Sequence, residues 1–180
     1  MRLLASVLLV GLLLLPGCPK KAKPDEEPTA TGLKVKVVEE EGWVAVARPV
    51  EDDASVEAGL GMALREAVEL KLAPDGNPLV VYEGEGHRVI AFPVAGPARL
   101  ERPWFMRNVE GGQYASAEVE GGLMAAAARN EDFLYEIRAR GLMIIGPVYH
   151  RILDDPRVTA PEEMRVQLLA PISPVPPDEE

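Results

Sequence analysis

The 180-residue sequence has a single cysteine, Cys18, so no disulfide can close within the chain and the fold has to stand on its core. Histidine is nearly as scarce. His87 follows a glycine-rich hairpin and His150 adjoins Arg151, so neither has metal-ligand spacing and both are expected at the surface. Lys and Arg number 19 against 29 Asp and Glu, a formal net charge of −10. Nucleic acid and anionic lipid both call for a basic patch, so nucleic acid is excluded as a partner and any membrane contact must come from something other than charge. No apolar run reaches the ~20 residues that cross a bilayer as a helix. A P-loop, a dinucleotide fingerprint and a Ser-His-Asp set with a nucleophile turn are missing too; Gly59 and Gly61 fall inside a predicted helix. The acidic groups Glu39 to Glu41, Glu51 to Asp53 and Asp154-Asp155 read as solvated turns rather than a calcium site. No metal and no cofactor is expected.

What is present begins with a basic Arg2, an apolar run from Leu3 to Leu15 and the exit Leu15-Pro16-Gly17-Cys18. That order is a signal peptide, residues 1–17, rather than a transmembrane helix. The exit resembles the lipobox of bacterial lipoproteins, with Cys18 as the lipid acceptor, and diacyl or triacyl modification supplies the two-chain anchoring that one chain does not. Residues 18–32, rich in Pro and charge, read as a flexible tether, and 174–180 as a disordered acidic tail. Pro19 is not the aspartate that retains some lipoproteins in the inner membrane, so the outer membrane, facing the periplasm, is the expected location.

Between tether and tail a pattern occurs twice, in halves of about 33–100 and 104–173. The first half opens with a β-like run, Leu33 to Arg48. Val56, Leu60, Ala63, Ala67 and Leu70 then form one helical stripe, and strands Leu79 to Tyr82 and Arg88 to Val94 follow around Glu83-Gly84-Glu85-Gly86. The second half repeats this with strand Tyr114 to Val119, a glycine pair at Gly121-Gly122, a helix from Leu123 to Arg140, and strands Met143 to Leu153 and Arg165 to Pro171. Gly76-Asn77-Pro78 leading to Tyr82 answers Gly146-Pro147 leading to Tyr149, and Phe92-Pro93-Val94 answers Ala170-Pro171-Ile172. The predicted class is α+β: two β-α-β-β halves joined about a pseudo-twofold axis into an antiparallel sheet with two helices and a cleft at the seam, where ligand sites favour lying.

The order Gly111-Gly112-Gln113-Tyr114-Ala115, Arg140-Gly141-Leu142, Gly146-Pro147-Val148-Tyr149, Leu153-Asp154-Asp155-Pro156, Pro161 to Arg165 and Ala170-Pro171-Ile172 resembles the GyrI-like, or AraC-type effector-binding, domain, whose fold is related to the SOUL haem proteins. The resemblance covers about Leu33 to Ile172 and implies an aromatic-lined cleft for amphipathic, often cationic small molecules. There is no helix-turn-helix region, so it does not imply a regulatory role here. With no histidine on a predicted helix, haem ligation is not expected either. In this family a pocket glutamate commonly stands on the last strand, four residues before its proline; that position here is Gln167, an amide that brings neither charge nor a titrating proton. The change weakens selectivity for cations and weakens a hydrolase reading.

The candidate ligand-binding residues are Tyr82 and Tyr149, expected at matching places in the two halves, with Phe92, Trp104, Phe133 and Gln167. Trp104, between the halves, either closes over a ligand or plugs the interface. The expected function is a non-catalytic, membrane-tethered module for a small, largely apolar or amphipathic molecule. The alternatives are a hydrolase of small electrophiles and a structural envelope protein that uses the fold for protein contacts.

Overall fold

The computed structural model describes residues 31–50, 55–84, 86–96 and 100–174. The signal peptide, Cys18, nearly all of the tether, the Glu51 to Asp53 cluster and the acidic tail after Pro174 lie outside the described residues, while Pro174, expected in that tail, ends a strand.

Helix α1, Val56–Glu69, forms where the apolar stripe placed it. Ser55 caps its start by accepting from the Ala58 amide at 3.1 Å, a bond of the kind that contributes about 1 kcal/mol. Val56, Gly59, Leu60, Ala63 and Ala67 are its buried face. Lys71, at φ 52°, turns the chain out of the helix.

Three runs expected to be continuous are broken. Leu33 to Arg48 is two strands, β1 (Lys36–Glu40) and β2 (Trp43–Pro49). The second-half helix is also two: α2 (Gly122–Ala128) and α3 (Asn130–Ala139), parted at Arg129, whose guanidinium reaches Thr31 O at 3.0 Å and Asp132 at 2.8 Å. Met143 to Leu153 divides at Gly146-Pro147 into β7 (Leu142–Ile144) and β8 (Val148–Ile152). Proline has no amide to donate, and a Cβ at Gly146 would stand 2.7 Å from the Pro171 ring. The remaining strands are β3 (Leu79–Tyr82), β4 (Arg88–Pro93), β5 (Phe105–Val109), β6 (Gly112–Glu120) and β9 (Arg165–Pro174), with a 3-10 turn at Pro161–Glu163.

The sheet runs β1-β6-β9-β8-β3-β4-β2-β5, all antiparallel, with β7 also paired to β9. The halves meet at β3 and β8, with Val80 opposite His150, and to either side β4 and β2 answer β9 and β6. Phe92-Pro93 and Ala170-Pro171 take equivalent places beside β2 and β6, the strand that precedes the helix in each half, as their sequence likeness implied. The two edge strands, however, are exchanged. β1 precedes β2 in the chain but pairs with β6, while β5 precedes β6 but pairs with β2.

This exchange curls the sheet. The links Glu41-Gly42 and Glu110-Gly111 pass each other so closely that a Cβ on Gly111 would lie 2.7 Å from the Gly42 nitrogen, and one on Gly42 would lie 3.1 Å from the Gly111 nitrogen. Glycine is required where backbones touch. The sheet therefore has two different buried faces. One packs under the helices, with Val46, Val80, Ile90, Phe92, Leu168 and Ala170 against Leu60, Ala63, Phe133 and Ile137. The other carries Ala45, Leu79, Val81, Ala91, Tyr114, Tyr149 and Leu169, which no helix covers, and is closed by the curl of the sheet itself.

Candidate ligand sites: a closed trough and two seam grooves

The inside of the curl is a trough into which both ends of the sheet fold. Trp43 from β2 and Tyr114 from β6 each meet Tyr149 on the central β8, with ring centroids at 6.1 and 6.3 Å. Edge strand β1 sends Glu40 across to Arg151 in a two-pronged contact of 3.2 and 2.7 Å. Edge strand β5 sends Arg107 to Glu83 and to the vicinity of the Tyr149 hydroxyl. Gln167 completes the floor: its carbonyl accepts from Arg151 at 3.1 Å and its amide donates to the buried Ser116 hydroxyl at 3.0 Å.

The chemistry of the trough follows from these contacts. Arg151, a cation supplied by the chain itself, is neutralised by Glu40 and hydrogen-bonded by Gln167, so the trough offers no free negative charge to a cationic guest. Burial holds Tyr114 at about 12 and also raises Tyr149, where the nearby Arg107 opposes the shift. Both phenols stay protonated at neutral pH. Glu40, expected in a solvated turn, is instead part of this ion pair because the exchange of β1 brings it over β8. Replacing Arg151 with Met is expected to cost about 2 kcal/mol in urea denaturation. The figure stays below that of a fully buried pair because both side chains remain about one-fifth exposed. Adding Glu40→Gln should recover part of that loss; strictly additive losses would mean the pair contributes no coupling.

Tyr82 and Tyr149 do not match in space. Tyr149 lies opposite Val81 and faces the trough, whereas Tyr82 lies opposite Val148 on the helix side, against the His150 ring at 4.4 Å. His150 is not at the surface: it is fully buried, with Nε2 2.7 Å from Asn130 Oδ1 and Nδ1 lacking a partner. Burial pushes it down to about 3, so it is neutral. Its alternation with Val148 and Ile152 on β8 is the sequence signal for this inward position. His87 is exposed as expected.

The other expected residues are dispersed. Trp104 is a plug rather than a cover, its indole N–H donating to Glu66 at 3.0 Å and its ring 6.0 Å from Phe92. Glu66 is shared with the buried Arg48 at 2.7 Å. Phe133 is wholly buried under the helices. Asp154 and Asp155 form turns as expected, held by Arg165 and Arg157. Trp43, Tyr114, Arg107, Glu40 and Arg151 were not anticipated; their convergence depends on the curl. Among the described residues no three His, Cys, Asp or Glu side chains gather as a metal site.

Two grooves related by the pseudo-twofold axis lie on the seam. Each combines a helix end, the turn entering its own half's middle strand and the turn leaving the other half's middle strand. The first, about 680 Å³, runs under α1 between Leu64, Ala67 and Leu72 on one side and Leu153 to Arg157 on the other, with Pro78 and Phe92 at its floor. The second, about 510 Å³, runs beside α3 between Leu134 and Arg138, Gly146 to Val148, and Tyr82 to Gly84, with Arg107 at its side. Both volumes are in the range of small-molecule sites.

No family model matches the chain, and none of the curated proteins matches it. Among solved structures, the C-terminal domain of EcmrR matches over 79% of this chain and 99% of its own, with a TM-score of 0.66 at 8% identity. The fold is that of a GyrI-like domain. A structure of SAV2435 bound to tetraphenylphosphonium matches over 77% and 93% of the two chains, with a TM-score of 0.51 at 13% identity. A putative bacterial transcription regulation protein from Staphylococcus aureus MU50 matches over 78% and 99%, with a TM-score of 0.51 at 15% identity. At these identities the likeness is one of fold. In this chain Gln167 and the Arg151–Glu40 pair occupy the floor of the trough.

Proposed function

We propose that this chain is a non-catalytic module that captures a small, largely apolar or amphipathic molecule, and that lipid on Cys18 tethers it to the outer membrane on the periplasmic side. The observation that carries the binding reading is the 680 Å³ groove under α1, on the seam of a GyrI-like fold, with walls of Leu64, Ala67, Leu72, Phe92 and Leu153. That SAV2435, of the same fold, is seen with tetraphenylphosphonium supports a lipophilic guest. The non-catalytic reading rests on Gln167 in place of a carboxylate, on phenols that keep their protons, and on a histidine sealed from solvent.

A thermal-shift screen of the chain from residue 19, against neutral aromatics, amphipathic cations and lipids, tests the reading. A ligand at one hundred times its Kd stabilises the folded state by about 2.7 kcal/mol, and Leu64→Trp, which narrows the groove from a half-buried position, is expected to abolish that shift. A silent screen with co-purification of an envelope protein would favour the structural reading instead. In cells, incorporation of a labelled palmitate analogue is expected and should vanish in Cys18→Ser; label that persists would refute the anchor.

A further inference from the structure

The two seam grooves share a plan but differ in charge. The α1 groove carries Asp154 and Asp155 with Arg157, each aspartate tied to an arginine. Beside α3 the balance reverses: Arg107 and Arg138 face a single carboxylate, Glu83. Glu83 is taken by Arg107, whose Nε still lacks a partner, so the groove retains one unneutralised positive charge in a chain of formal net charge −10. Arg138 stands on the last turn of α3, and its guanidinium has no hydrogen-bond or ion-pair partner among the described residues. Next to it the wall is apolar, made by Leu134, Ile144, Pro147 and the ring of Tyr82.

We propose that the α3 groove is a second binding site, for an amphipathic monoanion: a carboxylate headgroup sits at Arg138 beside Arg107, and its apolar body lies along Tyr82, Leu134, Ile144 and Pro147. A guanidinium recognises a carboxylate through paired N–H donors. Attraction of this kind persists over roughly a Debye length of 8 Å at physiological ionic strength, so a local positive site functions on an acidic protein. A cation of the same shape would meet Arg138 directly and is disfavoured. The site is independent of the α1 groove, since no lining residue is common to both.

The test is calorimetric titration of the full chain in phospholipid nanodiscs, with empty nanodiscs as the blank. The probes are 4-phenylbutyrate, 4-phenylbutanol and 4-phenylbutyltrimethylammonium, which share a body and differ in headgroup. The carboxylate is expected to bind at least tenfold more tightly than the cation, with the alcohol between them. Arg138→Glu, at an exposed position, should weaken the carboxylate at least tenfold and narrow or invert the order, Arg138→Gln should have a smaller effect, and Leu64→Trp in the other groove should have none. Equal affinity across the three headgroups, or indifference to Arg138→Glu in a variant with unchanged Tm, overturns the proposal. Loss of carboxylate binding on Leu64→Trp alone would place the ligand in the α1 groove, overturning this site while leaving the general binding reading intact.

Discussion

Gly122→Ala is expected to be the most damaging small substitution in the chain, lowering stability by roughly 3–4 kcal/mol and Tm by about 10 °C. Gly122 opens α2 with φ 77°, a left-handed conformation that alanine enters at a cost of about 1–2 kcal/mol. The larger part is steric. A Cβ there would lie 2.0 Å from the Pro161 carbonyl oxygen, a backbone atom that no rotamer change can remove. The loop of the 3-10 turn would have to retreat, taking with it the bond from the Gly122 amide to Met164 O at 2.9 Å that joins α2 to the entry of β9. Gly61→Ala in α1 is the control, since nothing lies within 4 Å of a Cβ there and glycine's helix penalty is removed. Urea denaturation of both variants measures the difference. A loss below about 1 kcal/mol for Gly122→Ala would show that the loop yields freely.

Acid is expected to unfold the protein through His150. In the folded state burial holds the ring near 3, whereas the unfolded chain returns it to 6.5. Between these values the unfolded state binds the extra proton, so the stability present above pH 6.5 is lost progressively as pH falls toward 3. At pH 4.5, two units into the window, the loss attributable to this residue is roughly 2–3 kcal/mol, since each unit is worth about 1.4 kcal/mol. Carboxylates also titrate on the way down, so the measurement is a comparison: unfolding free energy at pH 7.5 and 4.5 for the native chain and for His150→Leu. The variant should start less stable, because Asn130 loses its partner, but fall less steeply. Parallel slopes would mean that the ring takes up its proton without leaving the core.

These outcomes bear on how much of the molecule was legible in the sequence. The α1 stripe was, because helical periodicity is local and the cap at Ser55 stands beside it. The duplication was legible for the same reason, since equivalent turns and strand-terminal prolines are read without knowing what they touch. The break at Gly146-Pro147 fell inside a run whose apolar character continues across it, whereas the break at Glu41-Gly42 was marked by the acidic run Glu39 to Glu41. The trough was illegible. Glu40 and Arg151 are far apart in sequence and meet only because β1 crosses to the other half, whereas Gln167 meets Arg151 as its direct cross-strand neighbour on β9. The recurrence of Glu-Gly before β2 and before β6 was the available sign, since two glycines in equivalent places mark backbones that pass in contact.

The exchange of β1 and β5 also determines what a half of this chain is. Neither half possesses its own leading edge: severed between the repeats, each fragment would keep a strand that belongs on the other and expose the ladder that strand should cover. The fragments are therefore built to complement one another rather than to fold apart. A protein one repeat long would have had only a second copy of itself with which to trade that strand, so the present chain has the architecture of a strand-swapped homodimer whose two subunits have been joined end to end.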